Sequence, residues 1–271
     1  MPRIGEKRRE TKDFEQNMCG RYAITTVPEA MRALFRYLNQ PNFPPRYNVA
    51  PTQPVPIVRM VEGQRQFALV RWGLIPPWVK DPRTFTLLIN ARAESVHEKP
   101  AFKNAMKRRR CLFPADGFYE WKTEGGRKRP FVARARDGQP MAFAGVWESW
   151  IGPNGEELET AAIVTTEANT EMAAVHHRAP VIVPPEQFDL WLDCANVSEQ
   201  EATALFKRAP EGSMQVYEIS TAVNRVANDS AELLKPYDGS AEPAPQSDKP
   251  KAARKPAPKP QPEDTGQGSL F

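Results

Sequence analysis

The sequence predicts an α+β domain built mainly from short, largely antiparallel strands. Three observations carry that prediction. Short runs rich in β-branched and aromatic residues recur at 55–60, 66–72, 110–113, 130–135, 141–147, 160–166 and 214–219; such runs fit the half-buried surface of a sheet. Helical periodicity is confined to a few short stretches, so strands and helices do not alternate as a doubly wound sheet requires. No Gly-x-Gly-x-x-Gly and no P-loop is present, and nucleotide cofactors have no support.

The helices follow from spacing. Met31, Leu34, Phe35 and Leu38 fall at i, i+3, i+4 and i+7, which predicts a helix over 27–38 with Thr26 as its cap and Pro28 in its first turn. Between Pro185 and Cys194, residues Phe188, Trp191 and Leu192 share one face and predict a second. Ser198 with Glu201 forms a capping box that opens a third, over 199–208.

Composition sets the boundaries. The chain has 271 residues, 40% of them hydrophobic, enough for a substantial core. Its 28 prolines are about twice the usual ~5% share. Residues 1–18 carry nine charged residues and little to bury. Residues 239–271 are rich in Pro, Ala, Lys and Gln, a composition expected to be disordered because it cannot offset its ordering entropy. The domain is therefore expected at 19–238. No apolar run approaches the roughly 18–20 residues of a membrane span, and the N-terminus lacks the apolar stretch of a secretory signal. Three cysteines give no complete disulfide framework, which points to a reducing, cytoplasmic setting. A net charge of +4 permits an anionic partner without requiring one. A monomer is the default expectation.

Several segments carry side chains suited to chemistry. Met18-Cys19-Gly20 is a sequence that initiator-methionine removal converts into an N-terminal cysteine. That residue offers a thiol and a free α-amine on adjacent carbons, the amine with a pKa of about 8. It condenses with an aldehyde to an imine, which the thiol closes into a five-membered thiazolidine. An internal cysteine cannot do this, and its commonest fate is burial. Leu88-Ile89 lead into Asn90, Arg92 and Glu94, which alternate onto one face of a strand end. Arg92 suits a phosphate, and an Arg92–Glu94 ion pair is the structural alternative. Cys111 to Pro114 reads as a buried strand entering a Pro/Gly turn, beyond which Tyr119, Glu120 and Trp121 lie close together. A carboxyl between two aromatics is partly desolvated, which moves it toward the general-acid range; Trp121 suits stacking on a base. A core tryptophan beside a solvated glutamate is the alternative. Val175-His176-His177-Arg178 holds two of the three histidines, natural proton carriers near neutral pH. Adjacent histidines point in different directions and no Cys-x-x-Cys is present, so no metal site is expected. Trp72 and Trp78, in a Pro/Gly setting beside Arg71, suit stacking on unpaired bases or packing down a loop.

Taken together, these segments resemble the SRAP family, the SOS-response-associated peptidases or abasic-site processing proteins. The resemblance rests on Cys19-Gly20-Arg21-Tyr22, Arg46 to Thr52, Arg71 to Pro76, Ile89 to Glu94, Phe113 to Trp121 and Val175 to Pro180, in the family's order from Met18 to about Pro236. It implies one α+β domain with a barrel-like core and a positively charged cleft for single-stranded DNA. It implies that Cys19 captures abasic sites as a stable thiazolidine crosslink, that Asn90 positions it, and that Glu120 and His176 are acid/base groups. It places Arg21, Trp72, Arg92, Trp121, Thr165 and Arg178 along the DNA path. Peptidase activity on its own leader and strand cleavage at the lesion are implied side reactions; no cofactor is implied. With residues 1–17 and Met18 attached, the Cys19 nitrogen is a peptide nitrogen and the ring cannot close. Either translation begins at Met18, the expectation favoured here, or the protein removes its own leader.

The chain ends Gln267-Gly268-Ser269-Leu270-Phe271, which resembles the bacterial sliding-clamp motif, a polar anchor (Gln267) followed by two apolar side chains (Leu270 and Phe271) on a tether. The protein is expected in the cytoplasm, associated with the nucleoid when bound to DNA. Two competing functions remain open on the residues alone. One is a thiol hydrolase pairing Cys19 with His176; the other is a single-strand DNA binder that forms no covalent product.

Overall fold

Twelve strands and five short helices make up residues 20–39 and 41–239, which the computed structural model describes. The strands are β1 (Arg21–Ile24), β2 (Arg46–Val49), β3 (Pro54–Val61), β4 (Gln64–Trp72), β5 (Asn90–Arg92), β6 (Arg110–Ala115), β7 (Gly117–Glu124), β8 (Arg127–Ala135), β9 (Met141–Ile151), β10 (Glu157–Glu167), β11 (Arg178–Pro180) and β12 (Met214–Glu218). The helices are α1 (Pro28–Phe35), α2 (Lys103–Arg108), α3 (Thr170–Ala173), α4 (Phe188–Leu192) and α5 (Glu199–Thr203).

Five strands close into a barrel in the order β3–β4–β10–β9–β6, with β6 returning to β3 through Val58 opposite Leu112. Only β10 pairs in parallel, with β4 and with β5; every other named pairing is antiparallel. The α+β class and barrel-like core are thus as expected. β6 is buried along its whole length because one face fills the barrel while α4 packs on the strand, the Trp191 indole N–H donating to the Cys111 carbonyl at 2.7 Å.

A second sheet, ordered β12–β8–β7–β1–β2, lies against the barrel. Aromatic edges make the seam. The Tyr22 ring meets Trp72 edge-on at 5.4 Å, and Phe118 meets Phe143 at 5.7 Å, geometries that suit the ring quadrupoles.

Each of the seven predicted strands is present; six are extended by up to a few residues, and β12 ends at Glu218, one residue short of the predicted 214–219. The helices are shorter than their periodicity suggests. α1 stops at Phe35 rather than 38 because Arg36 turns left-handed (φ 55°) and its N–H closes on the Arg32 carbonyl. Thr26 does not cap it. Its hydroxyl bonds the Asp116 carboxylate instead, and Val27 takes the cap position ahead of Pro28. The second predicted helix begins as a 3-10 turn at Pro185–Gln187 before α4. The capping box of Ser198 and Glu201 forms, yet α5 ends at Thr203. No hairpin turn separates the two halves of the Phe113–Trp121 segment: β6 and β7 run on with Asp116 between them, its carboxylate accepting from the Thr25 and Thr26 amides at 2.5 and 2.8 Å.

Candidate active site

The seam between sheet and barrel sets Gly20, Glu120 and Ile89 beside one another. In β1 and β7, Arg21 stands opposite Tyr119 and Tyr22 opposite Phe118. The antiparallel register therefore carries Gly20, one step before β1, alongside Glu120. On its other side Gly20 approaches β5: a Cβ built there would lie 3.9 Å from Ile89 Cδ1. The strand register and this approach thus set Gly20 between Glu120 and the Ile89 side chain. Cys19 itself lies outside the described residues, as do Gln267, Leu270 and Phe271.

Strand alternation corrects the expected surroundings of Glu120. Tyr119 and Trp121 point to the opposite face of β7 and join a separate cluster with Ile219 and Val223. The Tyr119 hydroxyl donates to the Tyr47 carbonyl at 2.6 Å, and the Trp121 indole to Asn224 Oδ1 at 2.8 Å. Glu120 shares the barrel-facing side with Phe118 and is only 4% exposed. It is a buried carboxyl at the seam, and the two aromatics do not flank it.

β10 forms the opposite wall. Ile163 pairs with Asn90 and Thr165 with Arg92 on one side, while Thr165 pairs with Pro180 and Glu167 with Arg178 on the other. Exposure alternates along 90–94, with Arg92 and Glu94 outward and Ala91 and Ala93 buried, as the one-face expectation requires. Glu94 departs from the expected Arg92 pair. Both its oxygens accept from Arg178, at 2.5 and 2.8 Å, and this bidentate contact, with a smaller contribution from Arg92, holds its carboxyl below the usual range. Arg178 also donates to the Thr165 carbonyl at 2.7 Å.

α3 places the histidines. Asn169 caps it by accepting the Met172 amide, and the His176 amide returns to the Met172 carbonyl at 2.9 Å. His176 is 8% exposed, and its Nδ1 accepts the Arg178 amide N–H at 3.1 Å. The same Nδ1 lies 3.3 Å from the Arg178 carbonyl, so it bonds the amide in one tautomer and the carbonyl in the other. Burial pushes the His176 pKa below its ordinary value; the backbone hydrogen bond with Arg178 opposes that shift, and the neighbouring His177 and Arg178 charges add to it. At neutral pH the ring is a base. His177 is exposed and tilts against it at 4.5 Å.

The expected DNA-path residues divide by exposure. Arg92 is exposed and Trp121 partly so. Trp72 is fully buried, its indole N–H donating to the Ile89 carbonyl at 3.0 Å, so its ring supports β5 from below and has no face for a base. The exposed partner in that segment is Trp78, held edge-on by Phe85 at 5.5 Å. Thr165 is buried. Arg21 is occupied by Asn48 Oδ1 at 2.7 Å and the Val223 carbonyl at 2.9 Å. The two partners sequence reasoning missed, Glu94 for Arg178 and Asn48 for Arg21, are 84 and 27 residues away and left no local signal. Among the described residues no cluster of three or more His, Cys, Asp or Glu is arranged for a metal, and no helix is long and apolar enough to cross a membrane.

The chain matches the family described as SOS response associated peptidase (SRAP) over residues 18–226, a span that includes every strand. The abasic site processing protein YoqW of Bacillus subtilis (strain 168) is 35% identical over 224 residues, covering 81% of this chain and 100% of that protein. The abasic site processing protein YedK of Escherichia coli (strain K12) is 32% identical over 227 residues, covering 81% and 100%. A solved structure from Bacteroides thetaiotaomicron superposes with a TM-score of 0.72 at 27% identity, covering 81% of this chain and 100% of that one. By family match, by relatives and by fold, this chain belongs to the SRAP family.

Proposed function

We propose that this protein recognises abasic sites in single-stranded DNA and captures them covalently through Cys19 as the N-terminal residue. One observation carries the reading: Gly20, the residue after Cys19, lies between the buried Glu120 and the side chain of Ile89, the neighbour of Asn90. Abasic-site processing is also the activity for which the named relatives are called.

The chemistry follows from the groups present. An abasic sugar is mostly a closed hemiacetal, and opening it moves a proton from the C1 hydroxyl and delivers one to the ring oxygen. Glu120 and His176 are the acid/base pair for that transfer, with His176 entering neutral. The Cys19 amine then attacks the aldehyde carbon and water leaves, giving an imine. The thiol sulfur adds to the imine carbon, its proton passes to nitrogen, and a thiazolidine closes. Holding amine, thiol and aldehyde together supplies much of the rate. Asn90 positions the amine, Arg92 takes a flanking phosphate, and Trp121 and Trp78 offer ring faces to unpaired bases. Before the thiol adds, the imine acidifies the sugar's C2 protons, so β-elimination and strand cleavage compete. The leader before Cys19 must be absent for any of this, by initiation at Met18 or by self-cleavage. The C-terminal Gln267, Leu270 and Phe271 bind the sliding clamp and bring the domain to it.

The test is a denaturing gel of the protein beginning at Met18, mixed with a single-stranded oligonucleotide carrying one abasic site. A shifted band that survives denaturation and disappears in Cys19→Ala is the expected result. Hydrolase activity that persists with the leader attached, or salt-sensitive binding with no covalent band, overturns the reading.

A further inference from the structure

We propose that one edge of α2 is a second DNA contact, a phosphate track for the single strand flanking the lesion; this rests on the reading that the chain binds abasic DNA. Lys99, Lys103 and Lys107 are exposed and recur every four residues. The turn before α2 continues its helical path, since the Lys103 amide bonds the Lys99 carbonyl at 3.0 Å. The three residues therefore follow one another along one edge, each about 6 Å further along the helix axis, a step comparable to that between phosphates of an extended single strand. Exposed Arg108 continues the track at the helix end.

No carboxylate among the described residues pairs with any of these four side chains. Glu98, next to Lys99, is directed to His97 at 3.4 Å, and Glu148 is taken by Arg109 at 2.8 Å. Like charges four apart on a helix are destabilising, and a short helix of six residues gains nothing from carrying them. An anionic ligand along the edge relieves that repulsion. Residues 93–102 connect Arg92, at the end of β5, to α2, so a strand whose phosphate meets Arg92 has a flank to lay on this edge. The track stops beyond Arg108, where a groove of about 430 Å³ is lined by Glu62 and Asp193 as well as Arg108.

The experiment compares wild type with Lys99→Gln/Lys103→Gln/Lys107→Gln, and with Lys103→Gln alone, in non-covalent binding across a salt series. The probe is a single-stranded oligonucleotide with a tetrahydrofuran abasic analogue, which lacks the aldehyde. It carries a flank of about ten nucleotides on the 5′ or the 3′ side, or a minimal flank on both. At about 0.7 counterions released per phosphate, the triple variant should lose about 2 units of log–log salt slope on one long-flank probe. Lys103→Gln should lose about a third of that, and the minimal probe should show no change. Equal slopes for wild type and triple variant on all probes overturn the track. A loss seen only when the flank is duplex overturns the assignment to a single strand. Crosslinking of the triple variant to a true abasic site in the minimal probe should match wild type; absence of crosslinking in wild type itself defeats the proposed function, not the track.

Discussion

Two buried arginines, Arg110 and Arg178, show how the same side chain serves the frame and the site. Arg110, at 1% exposure, donates to the backbone carbonyls of Trp191 (2.6 Å), Met106 (3.2 Å), Asp193 and Val197 (both 2.9 Å). It ties the end of α2, α4 and the turn after α4 to the start of β6. Its partners are neutral dipoles, and burial pulls its pKa down. Arg178 instead bonds a carboxylate at the surface, Glu94, whose side chain is 54% exposed. Its own amide holds His176. One arginine gathers four backbone carbonyls from separate segments onto one side chain. The other joins Glu94, just past β5, to His176, the base in the proposed reaction.

Breaking the frame should have the largest effect. Arg110→Met removes the donor to four buried carbonyls and is expected to cost about 3–5 kcal/mol, read as a drop in the denaturant midpoint. Crosslinking by the fraction that remains folded should be near wild type, since Arg110 touches nothing at the seam. A lost reaction with an unchanged midpoint would reverse the roles assigned to the two arginines.

On the site side, His176→Gln should slow crosslinking by roughly 10²-fold or more with little change in the denaturant midpoint. The pH profile sharpens this. The His176 pKa lies below its ordinary value, so the neutral base is populated from below about pH 6.5 upward, and the acidic limb of the wild-type rate should fall there. The stability linkage has the same sign. The unfolded histidine takes up its proton first as pH falls, so folding weakens from about pH 6.5 downward until the folded pKa is passed. An acidic limb unchanged in His176→Gln would remove the residue from the proton transfers.

Glu94→Gln is the mildest change. The pair is partly solvated, so the loss should stay under about 1 kcal/mol. Glu94 is held below the usual carboxylate range in the folded state, so its contribution is present above its ordinary value of about 4.3 and fades as pH drops further. Wild type and variant should therefore converge in stability in strong acid and differ near neutrality. A constant gap across pH would mean that the Arg178 contact contributes through packing alone.

The longer strands and the capping box at Ser198 were legible because each is written locally, in alternation or in a three-residue spacing. β1, β2, β5 and β11 were not, since they are only three or four residues long and exist because longer partners hold them; β7, eight residues long, was missed because Pro114 and Gly117 read locally as a turn. α1 shows the limit of periodicity: Leu38 continues the pattern, yet Arg36 turns left-handed and the helix ends at Phe35. The site was legible as residue types: Asn90, Glu120 and His176 are unusual enough to single out. Their surroundings were not. Whether Trp72 faces a base or the core, and whether Glu94 pairs with Arg92 or Arg178, depends on contacts across the seam that no short window contains.

The central claim is chemical and resides in one tripeptide. Trypsin cuts after Arg21, so a crosslink through an N-terminal cysteine should release Cys19-Gly20-Arg21 bound to the deoxyribose remnant. Mass spectrometry of the digested, nuclease-trimmed crosslink reads this directly. The account predicts that tripeptide plus the sugar aldehyde less one water, with no residue before Cys19. A linked peptide that extends upstream of Cys19, or an adduct on a lysine elsewhere in the chain, would contradict it.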